Sequence, residues 1–438
     1  MSYSSDLAHL WKSQGFRRLT RVRVVSQAGD GAFQFGIAAA FFFSPQNATT
    51  PTDIAIGFAV LFAPFTLIGP FVGPFIDRWH RQRIVLAGNM VRLVFVGLIV
   101  GAVVVGAPPI ALYSLALATL SVNRFLLAAL SAGIPQVVDR KDLLAANAIM
   151  PTLGTIAAAL GGTIGGIVAF VVPGVSEDHK ALLALGAAGL AFGLSSWAAT
   201  SLSKRSLGPV RLLDADRVAA EAAHILIELR NGYRHLRERA TPFHALGVMS
   251  AARLLYGLMF VASILISRNV LGDSSNPEGA LGQFAIVVGF AAIGFGLAAV
   301  ITPAFSHRVS RHNWIITCLL LGAVGQSLLA ITSASWALLG AAVIVSFSVQ
   351  GGKIAVDTII QRDTDDAYRG RAFALYDVAY NTAFITAAGI GALVLPASGY
   401  SHAVMATLAV AYIVFAFAYS RAPREPRLTA DAESSPPR

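Results

Sequence analysis

Runs of about 20 consecutive apolar residues recur from one end of the chain to the other, each long enough to cross the ~30 Å hydrocarbon core of a bilayer as a helix. Inside lipid every backbone N–H and C=O must be bonded within the protein, so a spanning chain is restricted to helices or a closed barrel. The runs are continuous rather than alternating, which selects helices. Composition agrees: 55% of the 438 residues are hydrophobic, only 13% are charged and the mean hydropathy is +0.66, against roughly 45–50% apolar and 25% charged in soluble domains. Bounded by turn residues, the runs predict twelve spans, near 22–43, 54–76, 84–106, 110–134, 143–172, 182–202, 245–267, 281–303, 314–332, 336–357, 372–395 and 402–420.

The net charge of +10 raises the question of a nucleic-acid partner, and the distribution of Lys and Arg answers it. All of the 33 Lys and Arg except Arg92, Arg124, Lys180, Arg253, Arg268 and Lys353 fall in segments that alternate to one side of the predicted spans. Only Lys180 and Arg268 fall on the other side; the remaining four lie within spans. By the positive-inside rule the basic side is cytoplasmic, and an even number of spans places both termini there. No nucleic-acid partner is implied. The first apolar run follows Lys12, Arg17, Arg18, Arg21 and Arg23, is too long for a signal h-region and lacks a small-residue cleavage site, so it is expected to stay as the first span. The single cysteine, Cys318, lies in an apolar run and excludes a disulfide framework.

The expected organisation is a cytoplasmic N-terminal segment (1–21), a six-helix bundle (22–203), a cytoplasmic central loop (204–244), a second six-helix bundle (245–420) and a disordered cytoplasmic tail (421–438). In the central loop, Ala222, Ile225, Leu226, Leu229, Tyr233 and Leu236 recur at helical spacing opposite Arg and Glu, the pattern of an interfacial amphipathic helix. The tail is Pro-rich and polar. An internal repeat relates the halves: GPFIDRWHRQR, from Gly73, and PAFSHRVSRHN, from Pro303, each follow the second helix of a six, with Phe75 matching Phe305, Arg78 matching Arg308 and Arg81 matching Arg311. Two related bundles with a substrate site near the midplane is the architecture such a repeat suggests.

Gly73, Asp77, Arg78 and Arg81 resemble the G-x-x-x-D-R-x-G-R signature of the major facilitator superfamily, with His80 in place of Gly and Gln82 in place of a base. Together with the twelve spans, the central basic loop and the second weak copy, the resemblance covers essentially the whole chain. It implies an all-α membrane protein with twelve transmembrane helices in two pseudo-symmetric bundles. A membrane enzyme would need paired carboxylates, a His-rich metal set or a nucleophile with its base at membrane depth, and the sequence offers none, so no enzymatic activity, cofactor or metal is expected. Within the superfamily the chain resembles bacterial proton-driven drug and small-molecule exporters, through SQAGDGAF, DLLAANAI, NGYRHLRERA and RGRAFALYDVAYN. The antiporter pattern Gly-Pro-x-x-Gly-Gly of the fifth helix stands here as Gly161, Gly162, Thr163, Ile164, Gly165, Gly166, with Gly in place of Pro.

A charge at bilayer depth costs about 2.5–3.5 kcal/mol even on a lenient scale and therefore has a partner or a task. Asp30 and Arg124 fall at similar depth in the first and fourth spans. If they face each other, Arg124 keeps Asp30 ionised while the cavity is wet, and desolvation on closure favours its protonation; the alternative is a static pair joining two helices. In exporters of the resembled type an acid of the first helix and an Arg of the fourth serve coupling, which assigns proton coupling to Asp30 and Arg124. Lys353 and Asp357, four apart, read as an intrahelical pair. Asp377 reads as a capping or gating carboxylate at the start of the eleventh helix. Arg92 and Arg253 are expected to snorkel to the interface.

Gly73, Asp77, Arg78 and Arg81, with Asp377, are expected to form a cytoplasmic latch: Asp77 against the N-terminal end of the eleventh helix, Arg78 and Arg81 against acids such as Asp363 to Asp366 or lipid phosphates. The alternative is that the charges only fix topology. Candidate cavity residues are Gln27, Phe33, Gln34, Asn123, Tyr256, Gln350, Tyr380 and Asn381, an aromatic and amide-rich set suited to amphiphilic organic molecules. The function expected is proton-coupled efflux of amphiphilic small molecules, drug-like compounds or a siderophore, by a monomer in the cytoplasmic (inner) membrane. Its partners are the substrate, protons and the bilayer. The alternatives are uptake by proton symport of a small organic solute and, more remotely, a membrane receptor or scaffold. An ATP-driven pump is excluded, because QGGKIA lacks the spacing of a phosphate-binding loop.

Overall fold

A computed structural model describes residues 10–42, 50–67, 72–76, 78–139, 142–171, 177–203, 206–208, 215–271, 277–305 and 308–424. Among them all regular structure is helical: α1 Gln14–Phe42, α2 Pro51–Leu67, α3 Val72–Ile76, α4 Arg81–Val104, α5 Pro109–Gly133, α6 Leu143–Val171, α7 Glu177–Ala199, α8 Ala215–Glu238, α9 Ala240–Asn269, α10 Pro277–Phe305, α11 Arg311–Ile331, α12 Ser335–Asp363, α13 Asp366–Val394 and α14 His402–Ser420. Ten of the described helices are long and apolar enough to cross a membrane. Of the other two expected spans, α1 has the length, 29 residues, but Gln27, Asp30 and Gln34 dilute its hydropathy, and α2 has 17 described residues. The protein is an all-α multi-pass membrane protein.

Local chemistry sets the helix ends. Thr50 and Asp53 form a reciprocal capping box at α2: the Asp53 carboxylate accepts from the Thr50 N–H at 3.1 Å, and the Asp53 N–H donates to the Thr50 hydroxyl at 3.3 Å. Pro109 opens α5, where a missing N–H costs nothing. Gly106, at φ +66°, supplies the left-handed turn between α4 and α5. The Ser310 hydroxyl caps α11 by accepting from the Asn313 N–H at 3.2 Å.

The chain divides into two compact units, Met1–Ile227 with Ile264–Gly282 and Ala388–Leu393, and Glu228–Ser263 with Gln283–Ala387 and Val394–Arg438. In the first, α1 packs lengthwise on α6 and α7, and α4 on α5 and α7. The α1–α6 seam is closed by glycines: a Cβ at Gly31 would strike the Ala158 carbonyl, one at Gly161 the Ala28 backbone, and one at Gly165 would lie 3.1 Å from Ala32 Cα. Small residues four apart let two backbones touch. In the second unit α11 packs on α12 and α14.

The amphipathic segment of the central loop is helical, as α8. In the second unit its C-terminal half is fixed to the start of α13: Arg371 donates to Glu228 at 2.5 Å, and the His235 ring stacks on Tyr368 with centroids 4.2 Å apart. Leu236 is buried here, whereas Tyr233, on the same predicted apolar stripe, stays exposed.

Candidate functional site

The spacing of α4 builds the first site. Its buried residues, Gln82, Val85, Asn89, Arg92, Val96 and Ile99, recur at three and four, a single stripe that mixes three polar side chains with three apolar ones. The stripe faces α1 and α7. Gln82 donates to the Ala199 carbonyl at 3.1 Å, and Asn89 donates to the Ser195 hydroxyl at 3.1 Å and to its own helix at Val85 O at 3.0 Å. Ser195 in turn donates to Val22 O at 3.0 Å.

Arg92 occupies the centre of this network. Its guanidinium donates to the Asp30 carboxylate, to the Ser26 hydroxyl at 3.2 Å and to Asn89 Oδ1 at 3.4 Å. It also lies over the Phe192 ring, 3.6 Å from the centroid. Asp30 stands twelve residues before the C-terminal end of α1 at Phe42, and Arg92 twelve residues before that of α4 at Val104. At 1.5 Å per residue both are ~18 Å deep. The pair is enclosed, with side chains 1% (Arg92) and 3% (Asp30) exposed. Among the described residues Asp30 Oδ2 has no hydrogen-bond partner, so among them the carboxylate is bonded through one oxygen.

Three expectations are corrected by this geometry. The guanidinium facing Asp30 belongs to Arg92, not Arg124: Asn123 lies on the buried stripe of α5 with Thr119, Leu120 and Leu126, which turns Arg124 off that stripe to a half-buried position. Arg92 does not snorkel, because an acid at its own depth satisfies it and a move to the interface would strand that acid. Phe33 is also not a cavity residue; it is 1% exposed and packs on Phe192, with ring centroids 6.4 Å apart.

The second site lies on α9, α12 and α13. Arg253 is thirteen residues into α9 and half-buried. Its guanidinium carbon sits 3.9 Å from the ring centroid of Phe384, 4.3 Å from that of Tyr380 and 5.2 Å from that of Tyr256. Tyr256 and Phe384 stack on each other at 6.0 Å. Arg253 therefore stays at depth, held by ring faces, and the snorkelling expectation fails for it too. Each cation–π contact returns about 0.5–2 kcal/mol, so the three ring faces together offset much of the about 2.5–3.5 kcal/mol cost of a central charge. Beside it, Lys353 donates to Asp357 at 2.8 Å within α12 and lies 5.2 and 6.0 Å from the Tyr376 and Tyr380 rings. Asn381 donates to the Asp377 carbonyl at 2.8 Å. Asp377 is exposed, Gln27 and Gln350 are half-buried, Gln34 is exposed, and Asn123 is buried with no partner for its carbonyl oxygen among the described residues. Sequence reasoning named Tyr256 and Tyr380 but missed Arg253; the signal was an Arg well inside an apolar run with aromatic residues at its i+3 and i+7 positions, Tyr256 and Phe260.

Asp77 lies outside the described residues, and Gly73 sits in α3. Arg78 is exposed beside Trp79. Arg81 donates to the carbonyls of Ala132 at 2.9 Å and Leu207 at 3.1 Å, and its N–H to Gly208 O at 3.1 Å. Arg81 is thereby tied to the end of α5 and the start of the central loop. Of the acids named for the latch, Asp365 accepts from Arg239 through both carboxylate oxygens at 2.8 and 2.9 Å, and Asp363 accepts from Thr241 at 2.7 Å and from Arg362 at 2.6 Å.

Residues 245–437 match the family model of the Major Facilitator Superfamily. The chain is 31% identical over 404 residues to an uncharacterized MFS-type transporter of Mycobacterium tuberculosis, covering 90% of this chain and 88% of that one. The same figures hold for its counterpart in Mycobacterium bovis. Among solved structures, the nucleoside transporter NupG superposes with a TM-score of 0.68 at 12% identity, over 93% of this chain and 98% of that one. The peptide transporter POT in complex with sulfate gives 0.68 at 14% identity, over 93% and 94%.

Proposed function

The chain belongs to the major facilitator superfamily and is a membrane transporter of that type, and we propose that it exports amphiphilic small molecules against the entry of protons by alternating access. The observation that carries this reading is the Asp30–Arg92 pair, an ionisable carboxylate at mid-span bonded, among the described residues, through one oxygen. The unbonded Oδ2 is where a proton is accommodated. Ionised, Asp30 neutralises Arg92; protonated, it leaves a guanidinium without its counter-charge in a site sealed from water. That change alters the relative stability of helix arrangements around α1, which is what coupling requires: a ligand, here a proton, shifts an equilibrium only through its different affinity for the two states.

The hairpin supports the same cycle. Arg81 fixes the start of α4 to the ends of α5 and of the central loop, and Gly73, Asp77, Arg78 and Asp377 are assigned a latch that biases one conformation on the cytoplasmic side. The one-sided placement of Lys and Arg supports the cytoplasmic (inner) membrane as location, with both termini inside, and the protein acts as a monomer. The test is dequenching of a ΔpH-sensitive dye in inverted membrane vesicles that contain the protein, screened across antibiotics, lipophilic dyes, siderophores and sugars. Substrate-dependent proton movement out of the vesicles for an amphiphile supports export; none for any compound, or movement only with sugars, contradicts it.

A further inference from the structure

The charges inside the spans of the described protein are matched unevenly. Asp30 is matched by Arg92 and Lys353 by Asp357. For Arg253, among the described residues, no carboxylate lies within ion-pair reach and no acceptor meets its N–H groups; its Nε is buried without a partner. What it does have is three aromatic ring faces, those of Phe384, Tyr380 and Tyr256. A guanidinium is planar, and its five donors point outward in that plane as a fork that fits the two oxygens of a carboxylate. Rings supply no acceptor for that fork. Arg253 is thus a positioned cation lacking an anion, in a medium where an anion is worth most.

Three features suit an incoming ligand better than a structural role. Arg253 and Tyr380 are half-buried rather than sealed like Arg92. Tyr380 stands at the midpoint of α13, fourteen residues from either end, so the cluster lies deep in its spans. Lys353, 6.0 Å from the same Tyr380 ring, is neutralised by Asp357 at 2.8 Å, which leaves Arg253 as the unmatched cation of the cluster.

We propose that Arg253 is the anchor for the anionic group of the transported molecule, with Tyr256, Tyr380 and Phe384 taking its flat apolar portion. The ligand class is an aromatic or otherwise planar amphiphile ending in a carboxylate or a similar two-oxygen anion. This rests on the transporter reading and deepens it by naming the substrate's chemistry. Binding needs no proton gradient, so its failure is distinguishable from a failure of proton coupling.

The experiment is isothermal titration calorimetry of the full-length protein in lipid nanodiscs with three matched probes, 2-naphthoate, 2-naphthamide and 2-naphthylmethylammonium. The expected result is binding of naphthoate, with the amide at least about tenfold weaker and the cation weaker still. Arg253→Gln should weaken naphthoate by about tenfold or more and leave the amide unchanged, and Arg253→Lys, which keeps the charge but not the fork, should fall between. Gel filtration checks that the variants fold; should Arg253→Gln not fold, Arg253→Lys and the probe series on the unaltered protein decide. Naphthamide or the cation binding as tightly as naphthoate, naphthoate affinity unchanged in the variants, or no binding of naphthoate at all would overturn the proposal.

Discussion

Asp30 on α1 and Arg92 on α4, 62 residues apart in sequence, form an ion pair at equal depth in the first unit, and the side chains around it bind α7 into the same network. A buried pair of this kind is stable only as a pair. Asp30→Asn or Arg92→Gln alone leaves an uncompensated buried charge and should cost about 3–5 kcal/mol, whereas the double variant should recover most of that loss. Thermal unfolding of the purified protein in detergent measures all three; a double variant less stable than either single one would show that the two residues do not form one unit.

Exposed pairs should behave differently. Arg239 and Asp365 meet in good geometry at 2.8 Å, but their side chains are 48% and 52% exposed. Arg239→Ala should therefore change unfolding by less than about 1 kcal/mol. The contrast with Arg92, in the same thermal assay, tests burial as the deciding variable.

Glycines of α1 and α4 predict opposite signs at two positions. Gly31→Ala drives a methyl into the Ala158 carbonyl, and since backbone cannot yield as a side chain does, a loss of about 1–3 kcal/mol or more is expected. Gly101, in α4, has nothing within 4 Å of an added Cβ, and Gly101→Ala should gain about 0.5–1 kcal/mol from helix propensity. Melting of the two variants side by side checks this.

Arg81 donates to two carbonyls at the end of α5 and in the central loop, and hydrogen bonds from charged groups contribute about 1.5–3 kcal/mol. Arg81→Ala should raise amide hydrogen exchange around Leu207 and Gly208 and in the first turn of α4, while exchange in α9 to α14 stays unchanged. Uniform exchange across both regions would remove the tether.

The spans were legible because twenty apolar residues have few alternatives in lipid; their helical ends extend beyond the apolar runs, as where α1 begins at Gln14 rather than near residue 22, since a helix need not stop at the hydrocarbon boundary. The partner of Asp30 was missed because depth alone does not fix rotation. Depth admitted both Arg92 and Arg124. The stripe Gln82, Val85, Asn89, Arg92, Val96, Ile99 held the rotational information, its polar members standing out on a helix whose other faces are apolar. Arg253 escaped for a different reason: the rings that hold it come from α13 as well as α9, a convergence that only the packed structure reveals.

Proton coupling through Asp30 is tested most directly by substrate-driven proton flux in proteoliposomes containing Asp30→Asn, with the protein's amount and orientation matched to the unaltered chain. The account predicts that substrate still binds while coupled proton movement is lost. Coupled flux at the unaltered rate would contradict it and leave the Asp30–Arg92 pair as a clamp between helices.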